Sequence, residues 1–184
     1  MRRMALMLMA CLLAGCASEF QIERATPRTE PLVLKDTESV YVTTPPDASF
    51  GDEPYPNSGK ETAGAVVAMF SRHSSRVESF PASASEADAI GAARTAGFSR
   101  VAVPTILRWE NRATEWTGQR DALTLRLAVY DAKSGTQLDS ATINAKGTWW
   151  TFGGLHPEDL LSRMMKAYEK STLTVEPPKR SPAP

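Results

Sequence analysis

The sequence predicts an α/β domain: a mixed sheet of about five strands with helices packed on it. Short β-branched runs alternate with stretches of helical spacing across residues 39–97. After them Leu123, Leu125, Leu127 and Val129 alternate with Thr124, Arg126 and Ala128, as in a strand buried on one face. Behind Pro157, Leu160, Leu161, Met164 and Tyr168 fall on one side of a helix. The predicted order is β-α-β-α-β-β-β-α, with right-handed crossovers and parallel strands first and an antiparallel meander in the second half.

Ahead of the domain, Met1-Arg2-Arg3 leads into an apolar run that closes with Leu13-Ala14-Gly15-Cys16. A positive start, an apolar middle and small residues before a cysteine make a secretory signal ending in a lipobox. Cleavage before Cys16 leaves its thiol to carry lipid. The apolar run is about half the ~20 residues a spanning helix needs. The expectation is therefore a protein anchored to a membrane and not spanning it. Ala17 and Ser18 stand where an aspartate would favour the inner membrane, which points to the periplasmic face of the outer membrane. Residues 16–37, with Pro27, Pro31 and scattered charge, read as a tether between the signal peptide at 1–15 and a single domain at 38–170.

Residues 39–44 (SVYVTT) read as the first strand. Residues 45–59 hold Pro45, Pro46, Pro54 and Pro56 and read as a loop without regular structure, carrying Phe50 and Tyr55 beside Asp47, Asp52 and Glu53. Ser58 and Glu61 have capping-box spacing ahead of Ala63, Val66, Val67 and Phe70, so the first helix runs to about His73. A short strand follows at 76–80, and Ser83 and Glu86 start a second helix that stops at Gly97. Residues 99–110 are the longest extended stretch, and Pro104 within it suggests an edge or a bulge. Lys133-Ser134-Gly135 turns the next strand into residues 137–148, and the tail from Ser171 reads as flexible.

At 184 residues the chain has room for one domain. Loss of residues 1–15 removes two arginines and no acid, leaving 19 basic side chains against 21 acidic. That balance gives no basic face for nucleic acid. Cys11 leaves with the signal and Cys16 takes the lipid, so disulfides and thiolate metal sites are not expected.

The run Arg108-Trp109-Glu110-Asn111-Arg112-Ala113-Thr114-Glu115-Trp116-Thr117-Gly118 is distinctive, as are Leu138-Asp139-Ser140-Ala141 and Thr151-Phe152-Gly153-Gly154 before His156-Pro157. With the lipobox, they resemble a bacterial lipoprotein family catalogued as domain of unknown function 4823, over residues 40–168. That resemblance implies no established activity. A looser likeness links the chain to lipoprotein activators of penicillin-binding proteins, the curli secretion-channel lipoprotein and the amino-terminal domain of the Tol translocation protein. It implies an α/β fold used for contacts within the envelope.

If the first three strands are parallel, their carboxyl ends share one edge, and the meander returns to it. Tyr55, Trp109, Glu110, Arg112, Trp116, Trp149, Trp150 and His156 are therefore expected near that edge. Two uses compete: closing the end of the core, or forming an aromatic binding surface. Glu110 and Glu115 are candidates for an acid/base pair in cell-wall hydrolysis, with salt bridges to Arg108 and Arg112 as the other use. His73 and His156 are expected at opposite edges, so no metal site and no cofactor are expected. The function expected is that of a non-catalytic envelope lipoprotein that binds an envelope protein or peptidoglycan, with no nucleic-acid partner. Its alternatives are a cell-wall hydrolase and a homo-oligomeric envelope assembly.

Overall fold

A computed structural model describes residues 19–25, 30–83, 85–110, 121–147 and 157–175. Within them the chain runs β1 (Glu19–Glu23), β2 (Leu32–Leu34), β3 (Ser39–Thr43), β4 (Ala48–Phe50), β5 (Glu53–Tyr55), α1 (Ser58–Phe70), β6 (Arg76–Phe80), α2 (Glu86–Thr95), β7 (Arg100–Glu110), β8 (Ala122–Asp131), β9 (Gln137–Lys146), α3 (Pro157–Thr172) and β10 (Leu173–Val175). The main sheet is mixed and six-stranded, in the order β1-β9-β8-β7-β3-β6. Strands β6, β3 and β7 are parallel, and β7, β8 and β9 form the antiparallel meander.

The sixth strand comes from the stretch expected to be a tether. β1 pairs antiparallel with β9, from Glu19 opposite Lys146 to Glu23 opposite Thr142. Its Phe20 and Ile22 pack on the core, an alternation too short to stand out in the sequence. β2 also lies in that stretch and pairs in parallel with β10, inside the segment expected to be a loose tail.

Three other local expectations change. Residues 48–55 form the β4–β5 hairpin and not an irregular loop; Pro54 is tolerated because this two-stranded piece has free edges. Helix α1 has no capping box. Asn57 takes a left-handed conformation (φ 71), and Asp47 reaches in to accept from the Asn57 and Gly59 backbone N–H groups at 3.0 and 2.9 Å. Ser58 instead donates to the Tyr55 carbonyl at 2.7 Å and accepts from the Ala48 N–H at 2.8 Å, tying helix to hairpin. Helix α2 is capped by Ser85, two residues later than expected, which accepts from the Asp88 N–H at 3.1 Å. Gly97, at φ 74, follows the helix where a left-handed residue is needed.

Both faces of the sheet are buried, unequally. On one, α1 and α3 cover Val40, Val42, Leu123, Leu125, Leu127 and Ile143. On the other, α2 covers Tyr41, Val101, Ala128 and Tyr130, with Phe98 edge-on to the stacked rings of Tyr41 and Phe80. Polar side chains lock the elements at the end away from the carboxyl ends of the parallel strands. Glu169 of α3 receives Arg72 at 2.5 Å and His73 at 2.5 Å from the turn that follows α1. The Arg72 and His73 donors hold the Glu169 carboxyl below its ordinary range. Arg24, just after β1, donates to Asp139 at 3.2 Å, and Tyr168 of α3 donates to the same carboxylate at 2.7 Å.

Candidate functional site

Strand β7 explains where the distinctive tryptophan-bearing run begins. Its pairing with β8 shifts between Ile106 and Arg108, so Leu107 is an extra residue in a bulge. Ile106 and Pro104 lie opposite Leu125 and Leu127, on the α1/α3 face. Unbroken alternation would then turn Arg108 and Glu110 into the same core. The bulge reverses the parity: Trp109 comes opposite Leu123 and is buried at 4% exposure, while Leu107 is pushed out at 54%. The cost of burying an arginine is the sequence signal that points to such a reversal.

The structure brings Tyr55 and Trp109 together, with ring centroids 6.4 Å apart and planes tilted by 38°. Tyr55 is half-buried and Trp109 belongs to the core, so this pair closes the end of the sheet. Glu110 is 5% exposed, and Arg108 donates to it at 2.8 Å. That hydrogen bond raises the arginine above its ordinary range. Of the two uses considered for Glu110, the geometry fits the salt bridge. Arg112, Glu115, Trp116, Trp149, Trp150 and His156 lie outside the described residues, as does Cys16.

Strand register places that edge firmly. Glu110 is opposite Ala122, Ala122 opposite Lys146, and Lys146 opposite Glu19. The carboxyl ends of β7 and β9 and the amino ends of β8 and β1 therefore share one end of the sheet. The starts of α1 and α3 lie on the same side, where Glu61 is pushed up by burial and by the charges of Glu158 and Asp47.

Two features beyond the sequence reading lie on the α2 face. A cleft of about 180 Å³ runs between the carboxyl end of β3 and the start of α2, lined in part by Thr43, Pro45, Ser83, Glu86 and Thr105. It is smaller than the ~300 Å³ at which small-molecule pockets begin. Beside it Glu86 accepts from Tyr130 and, at 3.0 Å, from Arg126. Burial and the Glu86 carboxylate push the Tyr130 phenol up to about 12. Among the described residues no three His, Cys, Asp or Glu side chains gather to hold a metal ion. Among them no helix is long and apolar enough to cross a membrane.

Residues 33–172 match the family described as Domain of unknown function (DUF4823). The chain belongs to that family. No curated protein matches it in sequence. Among solved structures, the DUF4823 chain is similar to the PelC dodecamer from Paraburkholderia phytofirmans, at 12% identity and a TM-score of 0.63, with 84% of this chain and 98% of that chain covered. A single-substitution variant of the same dodecamer aligns at 13% identity and a TM-score of 0.59, over 82% of this chain and 96% of that one. Lipoprotein GNA1162 from Neisseria meningitidis aligns at 16% identity and a TM-score of 0.45, over 73% and 96%. The PelC likeness shows that this DUF4823 domain shares that fold.

Proposed function

We propose that this DUF4823 protein is a lipid-anchored, non-catalytic scaffold of the cell envelope, held at the periplasmic face of the outer membrane and contacting an envelope protein or peptidoglycan. The observation that carries the proposal is the lipobox Leu13-Ala14-Gly15-Cys16 directly ahead of a folded α/β domain. The site geometry speaks against hydrolysis at Glu110, which is enclosed and held by Arg108. Mass spectrometry of the membrane-extracted protein tests the anchor: the amino-terminal peptide carries acyl chains on Cys16, and Cys16→Ser releases the protein from membranes. Crosslinking in intact envelopes tests the contact, with Trp116→Ala expected to lose a partner that wild type retains. Soluble fragments released from purified sacculi by wild type but not by Glu110→Gln would refute the non-catalytic role.

The dodecameric state of the PelC neighbours favours a second reading, in which the scaffold is itself a homo-oligomer. Sedimentation of the mature domain separates the two: a closed ring sediments many-fold heavier than a single chain.

A further inference from the structure

The structure leaves almost no tether between the proposed lipid and the sheet. β1 begins at Glu19, so Ala17 and Ser18 alone separate it from Cys16. Three residue steps reach at most about 11 Å when fully extended. Glu19 is not at a random place on the domain. It is paired with Lys146 at the end of the sheet where β7 also finishes and β8 starts. Whatever holds Cys16 holds that end with it.

We infer that the end of the sheet bearing Glu110, Asp121 and Lys146 rests on the lipid surface, and that the domain stands upright from it. The inference depends on the anchoring reading above and adds a lipid contact at the candidate edge. Exposed groups near this end fit a bilayer boundary. The bulge presents Leu107 to solvent, and the exposed cation Lys146 lies at the same end, where Arg108 is already paired with Glu110. Apolar and cationic side chains together suit the boundary between acyl chains and headgroups. The competing pose, lying on the β1 edge, would bring the exposed carboxylate of Glu23 against phosphates. Asp47, Glu61 and Glu158 sit on the same side as the proposed contact, so net charge does not set the orientation. The short link does. The connections that carry Trp116, Trp149 and Trp150 in sequence leave from this end, while α3 reaches the other, where Tyr168 bonds Asp139 near the start of β9.

The test uses the full lipoprotein in vesicles of phosphatidylethanolamine and phosphatidylglycerol. With Cys11 removed and Cys16 acylated, a single new cysteine is the only free thiol. Lys146→Cys and Lys133→Cys, both exposed, each take a fluorophore. Lys133 lies beyond the far end of β8, which is about 30 Å long at ~3.4 Å per residue. Spin-labelled headgroups should quench the label at 146 several-fold more than the label at 133. Equal quenching, or stronger quenching at 133, in protein that floats with the vesicles overturns the orientation and leaves the anchor standing. Protein that neither carries acyl chains nor floats overturns the anchoring reading and this inference together.

Discussion

Arg24→Ala should loosen the amino-terminal strand and the carboxy-terminal helix at once. Arg24 donates through Nε to Asp139 at 3.2 Å, and its guanidinium also bonds Thr172 and lies 6.0 Å from the Tyr168 ring. The Asp139 side chain is 1% exposed, against 15% for Arg24. Removing the cation leaves a buried carboxylate that keeps Tyr168 among its partners, at a cost of about 3 kcal/mol, the low end for breaking a buried pair. For a chain of this length that lowers Tm by roughly 6–12 °C. Thermal unfolding of the lipid-free domain, followed by circular dichroism, measures the loss, and hydrogen exchange should show the β1 amides opening first. In the Asp139→Asn background the same change should cost only about 1 kcal/mol, because no buried charge is stranded. An Arg24→Ala domain within about 0.5 kcal/mol of wild type, with β1 amides still protected, would falsify the view that this residue bolts β1 to the fold.

Gly59→Ala should destabilise by about 3 kcal/mol in a denaturant titration, since the new Cβ would sit 2.1 Å from the Pro45 carbonyl oxygen, where backbone must move. Glu169 has a lowered carboxyl pKa, so its stabilisation is complete above the ordinary value of 4.5 and fades as pH falls through the lower folded value. Glu169→Gln should therefore flatten the loss of stability between pH 5 and pH 3 (about one unit on either side of an ordinary carboxylate), as read by urea midpoints. Tyr130 has a raised phenol, so its contribution is complete below the ordinary value of 10.0 and lost as pH rises toward about 12. Tyr130→Phe should remove a step near pH 12 from the alkaline ultraviolet titration and lessen the loss of stability over that range.

How legible the fold was depended on whether a pattern was long enough to repeat. The alternating leucines of β8 and the apolar stripe of α3 each repeat several times, so their type and buried face followed from sequence. β1, β2 and β10 offer five, three and three residues. Such segments become strands only because β9 gives one a partner and the other two pair with each other, which no local pattern records. The α1 cap was misplaced for a related reason, since Asp47 caps it from outside the helix.

For the candidate edge, the sequence by itself determined the residue types, the lipobox and the connections that return to one end of the sheet. Tertiary structure decided what they can do. The bulge at Leu107 set which of Trp109 and Glu110 enters the main core, because one extra residue turns the following side chains to the opposite face. The pairing of Glu19 with Lys146 put a strand of the main sheet inside the stretch expected as a tether, because β9 supplies the partner that no local pattern records.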